Sequence, residues 1–314
     1  MSKILITGGT GFIGKALCKN LRSNNYLVHT STRNNNLKVQ KGVLSFNIGE
    51  IDKKTKWSKV LDGVNCIIHC AAKAHEMKKL ETNSLETYRK VNVEGTINLA
   101  EQAAAKGVRR LIFLSSVKVN GEKTKELSSF KYNDIPKPED AYGISKLEAE
   151  KGLWEVSKRT GLEVVIIRAP LVCGYGAKGN LARLMKLINS GIPLPLGLVK
   201  NQRSLIGIHN LVDILVRCID HPNAKGKTFL VSDGEDLSTP DLLNYMASAM
   251  GKSSRLFPVP ISFLKFVCCI VGRQNEINRL LGSLQVDTYY TRKILDWKPP
   301  VSAAESIRRM VLGK

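Results

Sequence analysis

The sequence predicts an α/β fold: a doubly wound parallel sheet joined to a smaller, mostly helical C-terminal domain. Three observations carry this. Short β-branched runs alternate with helix-patterned segments through about the first 170 residues, the rhythm of a parallel sheet covered on both faces. The runs are continuously apolar, as strands buried on both sides must be, whereas a half-solvated antiparallel sheet would alternate. A glycine cluster separates the first run from the first helix pattern.

KILIT is the first strand. One Lys and a short apolar run before the glycines suit a buried strand, not a secretory leader. GKALCKNLRSN reads as the helix that follows. Strands YLVHTST, VLSFN, CIIHCAA, RLIFLSS and EVVIIRAP come next, with GTINLAEQAAAKG and EDAYGISKLEAEKGLWEVSKR as helices. After Pro170 the rhythm breaks into the loop GYGAKGN, the amphipathic LARLMKLINSG and the proline-interrupted GIPLPLGL. It returns in SLIGIHNLVDILVRCID and KTFLVSDGE. From Leu237 helical patterns dominate, through TPDLLNYMASAMG, ISFLKFVCCIVG and NEINRLLG to WKPP and SAAESIRRMVL. The expected division is a nucleotide-binding domain at 1–171, to which 203–235 returns, and a smaller domain from 172–202 and 236–314. A substrate cleft is expected between them.

Hydrophobic residues at 43% and charged residues at 24% exclude a disordered or collagen-like chain and a multi-span membrane protein. The charge balance is abnormal: 48 Lys and Arg against 27 Asp and Glu leave +21. Such an excess implies a polyanionic partner, an anionic membrane surface or a phosphate-bearing substrate. The lysines are scattered, with no basic helix or aromatic-interleaved patch, which argues against nucleic acid. The apolar run Ile261 to Gly272 is broken by Lys265 and falls short of the roughly 17–25 residues of a membrane span. With Arg255 and Arg273 flanking it, peripheral attachment to an anionic membrane stays open. Seven cysteines, an odd number in apolar segments, predict reduced thiols and a cytoplasmic location. Cys66 and Cys70 on one strand face would be about 13 Å apart at roughly 3.3 Å per residue, too wide for one zinc, and no metal is expected.

Gly8-Gly9-Thr10-Gly11-Phe12-Ile13-Gly14 follows the first strand and opens a helix. Glycines so placed give a tight turn, close backbone approach to a pyrophosphate and close helix–sheet packing, and the helix N-terminus favours the phosphates. A dinucleotide is therefore expected, held by this loop. After the second strand, VHTSTRN offers Thr32 and Arg33 and no carboxylate for a ribose. Arg33 could pair with a 2′-phosphate, which favours NADP over NAD; the alternative is a guanidinium stacked on adenine or solvated. Asn47 and Ile48 after the third strand, and Ala71, Ala72 and Lys73 after the fourth, lie at the strand ends where such sheets bind ligands.

Tyr142 and Lys146 are four residues apart and share a helix face. A tyrosine of ordinary pKa near 10 is a poor acid or base at neutral pH, but a neighbouring ammonium and a cationic nicotinamide favour its phenolate. A hydroxyl to orient the substrate oxygen is expected on a neighbouring strand end, and of Ser115 and Ser116 the second is chosen.

These motifs together resemble the extended short-chain dehydrogenases/reductases of the nucleotide-sugar epimerase/dehydratase family, over nearly the whole chain. Gly8, Gly11 and Gly14 match the family's TGGxGFIG loop, Ser116 its SS-x-x-V-x-G serine, and Tyr142 with Lys146 its YxxxK pair. Asn92 in VNVEGT matches the asparagine that steadies the active-site helices near the cofactor. Pro170, after the sixth strand, joins the cofactor set. The resemblance implies hydride transfer between a nicotinamide and a sugar carbon, usually C4, of a UDP- or dTDP-linked hexose. It also implies a homodimer through a four-helix bundle that includes the Tyr142 helix; burial against the protein's own sheet is the alternative. Asn180 and Arg203 match residues that contact the nucleotide diphosphate, and Arg279 and Asp287 are further substrate candidates.

Departures from the pattern shape the expected reaction. The family's R-x-x-N-x-Y-G segment is Arg168 to Gly174, with Leu171 and Cys173 where asparagine and tyrosine are common. Lys118 and Asn120 follow the serine, adding two substrate-side candidates and leaving no acidic pair for dehydration. Segments such as FLSSVKVNGE look like those of O-antigen-cluster enzymes. With Arg33, these features favour reduction of a UDP-4-keto-hexosamine. UDP-glucose or UDP-N-acetylglucosamine 4-epimerisation is the alternative, and a non-catalytic sensor a remote third.

Overall fold

The computed structural model describes residues 2–33, 40–74, 84–125, 128–177, 179–270, 272, 277 and 280–313. Seven parallel strands form the main sheet: β1 (Lys3–Thr7), β2 (Leu27–Thr32), β3 (Leu44–Asn47), β4 (Cys66–His69), β5 (Arg110–Ser116), β6 (Glu163–Ala169) and β9 (Lys227–Leu230). Their order is β3-β2-β1-β4-β5-β6-β9. The chain runs outward from β1 in one direction and then, from β4, in the other. The switch point therefore lies between β1 and β4, where such sheets open a crevice at their carboxyl ends.

Helices cover both faces, as the continuous apolar strands require. On one side α1 (Phe12–Ser23) and α6 (Ile208–Asp220) set Leu17, Leu21, Leu211 and Leu215 against Ile4, Ile6, Ile68 and Ile112. On the other, α3 (Gly95–Ala105) and α4 (Ala141–Thr160) set Leu99, Ala103, Leu153 and Val156 against Leu5, Ile67, Leu111 and Phe113. Neighbouring strand residues thus enter opposite cores. The short α2 (Ser84–Tyr88) leads into α3 through a π-helical turn at Arg89–Glu94.

A second, three-stranded sheet takes the order β10-β8-β7, from β7 (Leu171–Cys173), β8 (Arg203–Gly207) and β10 (Asp236–Leu237). Around it lie α5 (Asn180–Asn189), α7 (Thr239–Ala249), α8 (Ile261–Ile270), α9 (Tyr289–Leu295) and α10 (Ala303–Leu312). A third core, including Leu181, Leu184, Leu243, Met246 and Ile307, joins α5, α7 and α10. Of the segment 203–235, expected to rejoin the first domain, α6 and β9 pack on the main sheet, whereas β8 is the middle strand of the second. Most of the expected helix NEINRLLG falls outside the described residues.

Leu111 is fully buried on the interior strand β5. Leu111→Ala is expected to lower unfolding free energy by about 2–5 kcal/mol in urea denaturation.

Candidate active site

Two loops meet at the switch point. β1 ends at Thr7 and α1 begins at Phe12, so the chain turns within four residues. Gly8 takes φ +71°, a left-handed conformation that favours glycine, and its carbonyl accepts from the Gly11 amide at 2.9 Å. A Cβ on Gly14 would lie 2.1 Å from that same carbonyl oxygen, so α1 reaches the loop only without a side chain there. The first turn of α1 has no acidic residue, and its N-cap, Gly11, supplies no side-chain cap. Its leading amides and positive dipole end are available to an anion. Phe12 and Ile13 pack toward the core and Thr10 is half-buried in the loop. The cradle is thus made largely of backbone and fits the pyrophosphate of a dinucleotide.

The second loop, after β4, holds Ala71, Ala72 and Lys73. Its anchor is His69, fully buried between the Thr7 hydroxyl (2.6 Å) and the Thr96 hydroxyl (2.9 Å). Burial pushes the imidazole down to about 3, so it stays neutral. Thr7 Oγ1 also accepts the Ala71 amide at 3.2 Å. Asn92, on the π-helical turn, accepts the Lys73 amide at 2.8 Å and donates to the Lys73 carbonyl at 3.1 Å. It also donates to Ser145 Oγ at 3.0 Å, and Ser145 donates to the Tyr142 carbonyl at 2.8 Å. Asn92 therefore ties the second loop to α4.

On α4, Lys146 is almost fully buried, its Nζ donating to the Leu114 carbonyl at 2.8 Å and lying 4.2 Å from the Phe113 ring centroid. Burial pushes its ammonium down to about 8. Nζ lies 6.0 Å from the Tyr142 ring centroid. Burial, with the nearby Asp140 and Tyr88, pushes the Tyr142 phenol above its ordinary value. The Tyr88 ring meets it edge-on at 6.2 Å.

The two strand-end serines separate. Ser115 is buried and donates to Glu150 Oε1 at 2.5 Å, whereas Ser116 is only partly buried and accepts the Lys118 amide at 3.2 Å. Glu150 also receives Arg168, whose Nη2 lies 2.6 Å from Oε2 and Nε 3.0 Å from Oε1. The remaining Arg168 donor, Nη1, reaches Asn120 Oδ1 at 3.1 Å. Sequence reasoning missed this network, although Glu150 continues the stride of four through Tyr142 and Lys146 on one helix face.

Other expected positions fall around this centre. Asn47 and Ile48 end and follow β3; the Ile48 amide donates to the Thr32 carbonyl at 3.0 Å. Arg33 is exposed just beyond β2, and Pro170 is buried between β6 and β7. Asn180 is the exposed first residue of α5. Arg203 begins β8, with Nη1 donating to the Gly282 carbonyl at 2.8 Å. Asp287 accepts the Tyr289 amide at 2.7 Å and lines a surface cavity of about 300 Å³ with Asp236, Gln285 and Arg292. Arg279 lies outside the described residues.

Two of the substrate-side candidates, Lys118 and Asn120, have partners within the chain. Lys118 is engaged by Asp140 and, at 3.0 Å, by Glu122. Asp140 is the N-cap of α4 and accepts the Gly143 amide at 2.7 Å, so Lys118 braces the helix that carries Tyr142. Asn120 is 3% exposed, and its Oδ1 accepts from Arg168.

A glycine loop at the switch point and a Tyr–Lys pair one helical turn apart beside a strand-end serine define the class: an enzyme of the short-chain dehydrogenase/reductase type. The chain belongs to the NAD-dependent epimerase/dehydratase family, whose profile matches residues 4–232. It is 46% identical over 308 residues to a UDP-glucose 4-epimerase of Vibrio cholerae, covering 98% of this chain and 93% of that protein. It is 26% identical over 275 residues to the N-acetyl-alpha-D-glucosaminyl-diphospho-ditrans,octacis-undecaprenol 4-epimerase of Escherichia coli O157:H7, covering 84% and 78%. Among solved structures, the UDP-glucuronic acid 4-epimerase of Bacillus cereus in complex with NAD has the same fold, with TM-score 0.79, 21% identity, and 98% and 95% of the two chains covered.

Two measurements test the buried charges. Arg168→Met strands Glu150 without its partner and is expected to lower stability by about 3–5 kcal/mol in urea denaturation. Lys146 has a folded-state pKa of about 8, below the ordinary 10.5, so the cost of burying its charge is full below pH 8 and fades as pH rises. From pH 8 to 10 the intact protein should gain stability relative to Lys146→Met, by at most about 1.4 kcal/mol per pH unit.

Proposed function

We propose that the protein is a 4-epimerase of a UDP-linked hexose or N-acetylhexosamine, with NAD as its retained cofactor. The observation that carries this reading is the 46% identity, over 98% of the chain, to a UDP-glucose 4-epimerase. The sequence features that favoured a reductase weigh less beside the fold. Cys173, where the family often has tyrosine, is 1% exposed in the third core, so packing accounts for its identity. Arg33 is exposed beyond β2 and is read as an adenine-side residue. The homodimer implied by the resemblance remains part of this proposal.

The backbone amides at Gly11–Gly14 would hold the pyrophosphate, and the loop of Ala71–Lys73, fixed by Asn92, would border the nicotinamide side. When bound, the dinucleotide supplies the acceptor and donor of a hydride. Tyr142 is assigned the proton at the sugar 4-oxygen, taking it in one direction and returning it in the other. Its phenol needs a nearby positive charge to act as a base near neutrality, and Lys146 is buried beside it for that purpose. Ser116, whose hydroxyl is not committed to the Glu150 network, orients the same oxygen. Asn180 and Arg203 are assigned to the diphosphate, where a guanidinium donates two parallel hydrogen bonds.

Purified protein is expected to interconvert UDP-glucose or UDP-N-acetylglucosamine with its 4-epimer without net cofactor consumption. Stoichiometric NADPH oxidation by a UDP-4-keto sugar, with no epimerisation, would overturn the proposal. Tyr142→Phe should lower kcat by about 10²–10⁴-fold while retaining dinucleotide binding.

A further inference from the structure

Helix α8 carries its apolar residues on the outside. Phe263, Phe266, Val267 and Ile270, at helical spacing of one face, are 58%, 63%, 39% and 71% exposed, while Leu264 turns into the third core. The stripe does not stand alone. Half of the exposed large apolar side chains among the described residues lie in two stretches, 187–198 and 257–270. Backbone bonds join those stretches: Leu194 donates to the Arg255 carbonyl, Phe257 to the Leu194 carbonyl and Gly197 to the Phe257 carbonyl, each at 3.0 Å. Arg255 adds a 3.0 Å bond to the Gly191 carbonyl. The exposed Ile192, Leu198 and Phe257 are thereby carried on two strands of chain tied together just ahead of α8.

The stretches that form this surface carry charge of one sign. No Asp or Glu occurs at 164–212 or at 242–275. Exposed Lys186, Lys200, Lys252, Arg255 and Lys265 lie on or next to the two joined stretches. Exposed phenylalanines among unopposed cations match a bilayer interface, whose acyl boundary takes the rings and whose anionic headgroups take the ammonium groups. A protein partner of ordinary composition would bring cations of its own against this lobe. Spanning is excluded for α8, since ten residues extend about 15 Å, half the roughly 30 Å hydrocarbon core. Among the described residues no helix is long and apolar enough to cross a membrane.

We propose that the α8 face with the adjoining 187–198 segment docks the enzyme on an anionic phospholipid surface. Docking does not depend on the epimerase assignment, because it is read by binding alone. The full chain should float with vesicles of phosphatidylcholine and phosphatidylglycerol in equal parts, and float poorly with phosphatidylcholine alone or at high salt. Replacing two exposed rings together, Phe263→Ser with Phe266→Ser, should cut flotation about tenfold while circular dichroism and turnover of a soluble UDP-sugar stay unchanged. Lys200→Glu with Lys265→Glu should weaken it on anionic vesicles. Failure to float, equal flotation on neutral vesicles, or flotation unaffected by the ring substitutions would each overturn the proposal. So would a dimer that the ring substitutions convert to monomer without vesicle binding, which would make this face a contact between copies of the chain.

Discussion

The candidate site is organised by the buried Glu150–Arg168 pair. Glu150 lies on α4 two turns after Tyr142, Arg168 lies near the end of β6, and both are nearly inaccessible. Two desolvated charges gain little net stability from each other, because the loss of hydration offsets most of their attraction. What the pair fixes is position. Through Ser115 it locks the end of β5, through Asn120 the turn after it, and through Glu150 the rotation of α4. Once these are set, Ser116 cannot join the network and is left toward the reactive edge. Lys146 then falls beneath Phe113 and against the Leu114 carbonyl. A helix rotated by one residue, about 100°, would withdraw Tyr142 and Lys146 together.

A second constraint acts across the switch point. Gly8 packs so near the chain after β4 that a Cβ on it would lie 3.0 Å from the Ala71 backbone. The two loops are therefore one structure, and neutral His69 is the bolt beneath them. Asn92 extends the connection to α4 through the Ser145 hydroxyl, so the dinucleotide cradle and the Tyr–Lys helix are held in register by a short chain of side-chain hydrogen bonds.

Much of the sheet was legible because its chemistry is local. A strand buried on both faces is apolar through its middle, and KILIT, CIIHCAA and RLIFLSS each carry such a run, with polar residues at or near their ends. Gly8 to Gly14 and the Tyr142–Lys146 spacing were legible for the same reason, each being a geometry written in consecutive residues. What the residues alone did not show is partners distant along the chain. Lys118, a candidate because it follows Ser116, is also paired with Asp140, 22 residues on. Asn120 is likewise bonded by Arg168, 48 residues away. Reduction and epimerisation were not separable from residues alone, because the constellation proposed here, Ser116, Tyr142 and Lys146, would serve both.

The fold divides the +21 charge, with +12 in residues 1–171 and +9 in the smaller domain of 172–202 and 236–314. A dinucleotide and a nucleotide diphosphate involve few cations, and Lys146 and Arg203 are largely withdrawn from solvent. The segments around α5 and α8 contribute cations with no acid among them, on the smaller lobe and not on the sheet. Solubility alone would not call for such long stretches without an acid. It would also disfavour four large apolar side chains outward on one helix, since their burial could add stability to the third core at no cost to the site. Apolar exposure and one-signed charge on the same lobe are each unfavourable in water. They become favourable together only against a surface that is anionic and has an apolar interior within reach.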